Sequence, residues 1–201
     1  MNEIKLNQSY WDDRYQQYDT GWDLRQVSPP LKSYLHQLKN KDLRILIPGC
    51  GNAHEAAYLF EQGFTNITLI DIAPTVVENL KQRFEQKPAI KVVLGDFFEH
   101  QGEYDLILEQ TFFCALDPFL RPQYVQKMHN LLIPNGKLVG LLFDMMFEKN
   151  PPHGGFKADY LILFKELFKI QTFERCNNSF TKRQGTELFM ILKKMGSEKQ
   201  F

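Results

Sequence analysis

Two glycines and a carboxylate carry the first chemical signal in this chain of 201 residues. The segment Pro48-Gly49-Cys50-Gly51 follows an apolar, β-branched run. Glycines placed there let the backbone turn sharply and approach a ligand closely. The next stretch, HEAAYLFEQG, has helical periodicity, and a helix start presents N–H groups free to donate. Asp71 ends the following apolar run, twenty residues beyond Gly51, the separation at which a carboxylate accepts from ribose hydroxyls and rejects a 2′-phosphate. The plainer reading of Asp71 is a cap for the helix that Pro74 opens, and the two roles are compatible. Two more runs end in Gly95-Asp96-Phe97-Phe98 and Glu109-Gln110-Thr111-Phe112-Phe113. Asp96 can accept from an exocyclic amine, and Phe97 or Phe98 can pack on a flat base. Taken singly, each Phe reads more simply as core.

The loop also says which nucleoside. A dinucleotide fingerprint needs a third glycine where the helix opens, and that position is His54, which disfavours NAD. No GxxxxGK[ST] occurs, which excludes a P-loop. What remains suits an adenosine carrying no pyrophosphate, the layout associated with S-adenosylmethionine (SAM).

These residues need strands and helices to position them. Runs at 43–48, 67–72, 90–94, 104–109 and 137–144 read as buried strands, near-continuously apolar as in a parallel sheet covered on both faces. Between them lie helical stretches: one closed by Gly63, one opened by Pro74, and one opened by Asp117 and Pro118. Alternation of this kind makes a doubly wound α/β sheet. After the loop NPPHGG and a helix near ADYLILFKELF, runs at 168–175 and 187–194 are joined by too few residues for a crossover and should pair antiparallel. The expected architecture is a seven-stranded, mostly parallel sheet with a C-terminal antiparallel pair. Residues 1–42 form a helical cap on an α/β core of 43–201, in one domain.

Composition narrows the function. With 43% apolar residues and 24% charged, the chain is of the folding class. Lys+Arg 24 against Asp+Glu 24 gives zero net charge, which argues against nucleic acid and anionic membranes as partners. No run approaches the roughly 18–20 apolar residues of a membrane span, and the N-terminus lacks an apolar signal core, so a cytoplasmic location is expected. Cys50, Cys114 and Cys176 make neither a disulfide framework nor a metal cluster. A monomer is the default.

The motifs YWDDRY, TGWD, LIPGCGNAHEAAYL, IDIAP, GDFF, YDLILEQTFFCALDP, LLIPNGKLVGLLF and NPPHGGF together resemble one family along nearly the whole chain. It is the thiopurine S-methyltransferase-like family of SAM-dependent enzymes, with its halide and thiol methyltransferase branch. The resemblance implies that Trp11, Tyr15 and Trp22 close over the cofactor. It sets Gly49, Cys50 and Gly51 at the methionine part, Asp71 on the ribose and Ile72 on the adenine. Asp96 and Phe97 are to hold the adenine edge and face, with Glu109 and Gln110 beside the amino-acid moiety. Phe112 and Phe113 are implied near the methyl group, and Pro151 and Pro152 in a loop over the acceptor. Three departures stand out. Ala53 replaces the last glycine of a GCGxG loop, read as conservative; Tyr15 stands where many members have a second tryptophan; and the glycines of NPPHGGF follow the prolines rather than precede them.

Methyl transfer from a sulfonium is an in-line displacement that asks a protein for alignment, exclusion of water and aromatic faces. A sulfur nucleophile, with a thiol pKa near about 8.5, needs little help from a base. No Ser/His/Asp arrangement is evident, which suits a thiol, thiopurine, hydrosulfide, thiocyanate or halide acceptor equally. One of Phe112 and Phe113 should face the pocket. His54 reads as surface or cap, His153 as a minor candidate for acceptor contact, Cys114 as packing, and Arg121 as a brace for Asp117 or another carboxylate. Arg183 is a candidate to attract an anionic acceptor. The alternatives are N-, O- or carboxyl-methylation of another metabolite, or a SAM-binding module without catalysis; an NAD-dependent reductase ranks last.

Overall fold

The computed structural model describes residues 5–195. Seven strands make one sheet: β1 Arg44–Pro48, β2 Asn66–Asp71, β3 Ile90–Leu94, β4 Tyr104–Gln110, β5 Leu132–Phe143, β6 Phe168–Arg175 and β7 Glu187–Lys194, in the spatial order β3-β2-β1-β4-β5-β7-β6. The first five pair in parallel, with Ile47 beside Leu69 and Leu46 beside Ile107. β7 runs antiparallel to both β5 and β6. The expected architecture is therefore the observed one. The order reverses between β1 and β4, which opens a crevice beyond their carboxyl ends, directly above the glycine loop.

The described residues also form six α-helices: α1 Gln8–Gln16, α2 Pro29–His36, α3 His54–Glu61, α4 Pro74–Arg83, α5 Arg121–Leu131 and α6 Lys157–Phe164. Each is shorter than the roughly 12–15 residues at which an isolated helix becomes even marginal, so packing rather than propensity holds them. Side chains alternate along the strands. Ile45, Ile47, Leu106 and Leu108 face one layer with Leu31 and Leu35 of α2, Ala56 and Leu59 of α3, and Val76, Val77 and Leu80 of α4. Leu46, Ile107 and Leu138 face the other, with Tyr124 and Met128 of α5 and Tyr160 and Phe164 of α6. At roughly 1.5–3 kcal/mol for each large apolar side chain buried, these two layers outweigh any local preference.

Two element boundaries differ from the sequence reading. The helix expected from Asp117 starts four residues later. Asp117 accepts from the Phe119 N–H at 2.9 Å and caps only a 3-10 turn over Pro118–Leu120; α5 then restarts with Pro122 in its first turn. Pro122 has no N–H to continue a helix through that point. β5 begins at Leu132 rather than Lys137, and its register with β4 shifts between Tyr104 and Leu106. The extra residues carry Asn135 at φ 67°, a bulge that periodicity does not reveal.

Candidate active site

The glycine loop is a chain of left-handed residues. Gly49, Gly51 and Ala53 have φ of 54°, 49° and 50°. A Cβ on Gly49 would run into the Phe112 ring, and one on Gly51 would come 3.1 Å from the Tyr15 hydroxyl. Ala53 corrects the reading of that substitution as conservative. It holds the helix N-cap in a conformation costing a residue with a Cβ roughly 1–2 kcal/mol. The strain is offset because Ala53 is buried in the core and its N–H donates to the Cys50 carbonyl at 2.8 Å.

Asp71 ties this loop to the next. Oδ2 accepts from the Gly51 N–H and Oδ1 from the Ala73 N–H, both at 3.0 Å. The cap of α4 is Ala73 itself, so Asp71 secures the turn before it. Burial pushes the Asp71 carboxyl above its ordinary range, against the pull of those N–H groups.

A cavity of about 720 Å³ opens over these loops, within the size range of small-molecule sites. Trp11, Tyr15, Trp22, Gly49, Cys50, Gly51, Asp71, Ile72, Asp96, Phe97 and Gln110 all line it. So do Phe112, Pro151, Pro152 and Arg183. Glu109 and Phe113 do not. Glu109 is fully buried behind the wall, where it accepts from the Phe112 and Phe113 N–H groups and from the Tyr124 hydroxyl. Phe113 packs edge-on against Tyr124 and Tyr160 in the far core layer. Of the two, Phe112 is the ring that faces the cavity, because the turn after β4 sends successive side chains to opposite faces. Gln110 reaches the lining, yet both atoms of its amide are buried without a partner among the described residues.

The N-terminal segment is fastened over the cavity at several points. Trp22 meets Trp11 and Tyr15 edge-on at 5.7 and 5.8 Å, and Arg14 lies over the Trp22 ring. Gln8 donates to the Ile72 carbonyl at 3.1 Å, and Asp12 accepts from the Thr75 N–H at 2.7 Å. Burial, with Asp71 nearby, pushes the Tyr15 hydroxyl far up, so it stays protonated.

Sequence reasoning missed the other half of this fastening. Asp23 accepts from Asn52 Nδ2 at 2.6 Å and the Arg25 N–H at 2.7 Å, and lies 2.7 Å from His54 Nε2. Against the upward push of burial, these donors hold Asp23 below the usual carboxylate range. His54 thus lines the cavity in a bonded pair and is more than surface or cap. The only sequence signal was the motif TGWD, which contains Asp23 but names no partner. Arg183, the candidate to attract an anionic acceptor, lines the cavity but is buried. Its Nη2 donates to the Trp22 carbonyl at 2.7 Å and Nη1 to Glu187 at 3.3 Å, so the guanidinium is largely committed. Arg121 braces no carboxylate among the described residues. It donates to the Gly154 carbonyl at 2.8 Å and stacks on Phe113, holding the NPPHGG loop. His153 is absent from the lining and donates its backbone N–H to the Cys114 carbonyl. Cys114 touches the cavity, but burial pushes its thiol up to about 12, which leaves it inert.

Four carboxylates reach the cavity, and each accepts from a backbone N–H: Asp23 from Arg25, Glu55 from Ser28, Asp71 from Gly51 and Ala73, and Asp96 from Phe98. They are engaged acceptors rather than idle bases. Leu116, Leu120, Phe143, Met145, Phe147 and the two prolines add apolar lining, with Arg183 over the Phe143 ring and Lys182 and Thr186 also in the wall. No described helix is long and apolar enough to cross a membrane.

Comparison with known proteins places the chain in a family. The family model for thiopurine S-methyltransferase matches residues 6–195. The chain is 32% identical over 138 residues to a probable thiol methyltransferase 2 of Arabidopsis thaliana, covering 66% of this chain and 61% of that one. It is 28% identical over 188 residues to thiocyanate methyltransferase 1 of Brassica oleracea, covering 88% and 81%. In fold it is similar to a Burkholderia thailandensis 1,6-didemethyltoxoflavin-N1-methyltransferase solved with S-adenosylhomocysteine. There the TM-score is 0.70 at 22% identity, over 94% of this chain and 84% of that one. With a match that runs from the N-terminal aromatic cluster to the end of β7, the chain belongs to the thiopurine S-methyltransferase family of SAM-dependent methyltransferases.

Proposed function

We propose that this enzyme methylates a small sulfur nucleophile, a thiol, thiopurine, hydrosulfide or thiocyanate, or a halide. The observation that carries the reading is the polarity of the cavity. We read one end as the glycine loop with Asp71, Asp96 and the Phe112 ring packed over Gly49, and the other as Phe143, Met145, Phe147, Pro151 and Pro152, with Arg183 over Phe143. The first end fits SAM: Asp71 keeps lone pairs for the ribose after accepting two N–H groups, Gly49 and Gly51 admit the amino-acid part, and Phe97 offers a face to the adenine. When bound, SAM supplies an electrophilic methyl group on a sulfonium. The protein's share is to orient, to exclude water and to keep aromatic faces near the positive charge.

An acceptor that arrives ionised or polarisable fits the second end. Each carboxylate at the cavity is already bonded to backbone, and His54 is paired with Asp23. Those groups support the binding of a donor more than the removal of a proton. Arg183, neutralised by Glu187, holds the Trp22 carbonyl and leaves the selection of acceptors to shape and apolar contact.

The test has two halves. Calorimetric titration with SAM or S-adenosylhomocysteine should give binding with a raised unfolding temperature; no heat and no thermal shift would reject the cofactor site. Labelled SAM offered with thiols, thiopurines, hydrosulfide, thiocyanate and halides should label one of these classes. Labelling of nitrogen, oxygen or carboxyl acceptors alone overturns the acceptor class, and binding without any transfer overturns catalysis.

A further inference from the structure

The buried side of the Phe112 turn holds a device that the cavity itself does not show. Glu109 Oε1 accepts from the Phe112 and Phe113 N–H groups, both at 2.9 Å, and Oε2 accepts from the Tyr124 hydroxyl at 2.7 Å. From β5 it is backed by Gly140, where a Cβ would collide with that of Glu109. Between Glu109 and Phe112 sits Thr111 at φ 61°, a left-handed conformation that a β-branched residue resists. The turn therefore needs restraint from outside itself. What it aims is the Phe112 ring, which packs over Gly49 and lies edge-on to Phe97 at 5.1 Å, both rings lining the cavity.

We propose that Glu109 is a positioning residue: its carboxylate keeps the strained Thr111 turn closed and so sets Phe112 against the glycine loop as a wall of the cofactor site. The proposal rests on the cavity being that site. Ionised, the carboxylate accepts all three hydrogen bonds as charge-assisted ones. Protonated, it must donate a hydrogen of its own, and the nearest acceptor is the Tyr124 oxygen, whose O–H then loses its partner. Burial pushes Glu109 up to about 7, against the pull of Phe113, Tyr124 and Phe112. The groups facing it are Tyr124 from α5, pushed well above its ordinary value, and the Cys114 thiol, pushed up to about 12. Both stay neutral where Glu109 titrates, and β5 contributes only Gly140. Closure of the wall is thus tied to pH through one group.

The experiment is calorimetric titration of S-adenosylhomocysteine at about pH 6 and about pH 8. It uses the parent, Glu109→Gln, Tyr124→Phe, Phe112→Ala and the Glu109→Gln/Phe112→Ala double variant. In the parent, affinity should fall at the lower pH. Glu109→Gln should raise Kd at the higher pH by roughly five- to tenfold, the net worth of one ordinary hydrogen bond, and flatten the profile. The ligand's own amino group titrates alike in every variant, so the difference isolates Glu109. In the Phe112→Ala background the same change should add less than about twofold, because the two residues act as one unit. An unchanged Kd and profile in Glu109→Gln, or its full effect persisting without Phe112, overturns the proposal. Should Glu109→Gln fail to fold, Tyr124→Phe decides. Loss of that donor should move the fall in affinity to higher pH, and a profile equal to the parent's overturns the proposal. A folded parent that binds no S-adenosylhomocysteine at either pH sinks the cofactor site itself, an outcome separate from any difference between variants.

Discussion

Asp71 ends β2 and Glu109 is the last residue but one of β4, parallel strands on either side of β1, so both lie at the carboxyl ends of the strands. Both are buried carboxylates, and both accept from two backbone N–H groups. Yet Asp71 is 7% exposed and touches the cavity, while Glu109 is 0% exposed and lies behind its wall. The N–H groups bound by Asp71 come from two different loops, and those bound by Glu109 from its own turn. Tyr124 supplies Glu109 with a side-chain donor, whereas among the described residues no side chain donates to Asp71. A carboxylate with unused lone pairs beside open space can receive a ligand. One saturated from within the core can only place its neighbours.

Asp71→Ala is the harshest test of that contrast. It should weaken binding of S-adenosylhomocysteine by about a hundredfold, since it removes the proposed ribose acceptor and frees both loops. Calorimetry on folded variant reads it, and equal affinity would erase the distinction between the two residues. Gly49→Ala strikes where the two regions meet, because its Cβ would collide with Phe112 at a φ of 54°. The expected loss is about 2–4 kcal/mol in denaturant unfolding; a stable variant would mean that the ring moves freely. A smaller effect separates the stability roles. The Glu109 carboxyl rises from 4.5 to about 7 on folding, so the folded state holds a proton over that window. Its stabilisation is full below the lower value and is lost as pH climbs through the upper one. Relative to Glu109→Gln, the parent should therefore lose roughly 2–3 kcal/mol between about pH 4.5 and pH 7.5, measured by unfolding across pH. Last, Ala53→Gly should change stability by less than about 0.5 kcal/mol. Relief of the left-handed strain is cancelled by a more flexible unfolded chain and a lost buried methyl. A gain well beyond that would show the loop to be more strained than its packing suggests.

Much of this was readable before folding. Strand runs at 43–48 and 67–72 are apolar enough to lie only inside a two-faced sheet, and Gly49, Gly51 and Asp71 sit at their carboxyl ends by chain order. The resemblance carried by the GCG loop and FFCALDP likewise needed no coordinates. What stayed hidden were pairings between distant segments: Asp23 with Asn52 and His54, and Arg183 with Trp22, 161 residues apart. Nothing in local spacing encodes them, because neither partner's residue type demands the other. Glu109 and Phe113 were misplaced for a related reason. At a strand end, which face a side chain takes depends on the turn that follows, and the left-handed Thr111 sets that turn.

The sequence by itself determined the class of fold, the glycine loop after the first strand and the acidic residue beside it. These follow from apolar periodicity and from the backbone freedom of glycine, both local properties. Only the tertiary structure decided which carboxylate faces the cavity, which phenylalanine walls it and what fastens the N-terminal segment above it. Those outcomes depend on desolvation and on hydrogen bonds between segments far apart in the chain, and they exist only once the layers have packed.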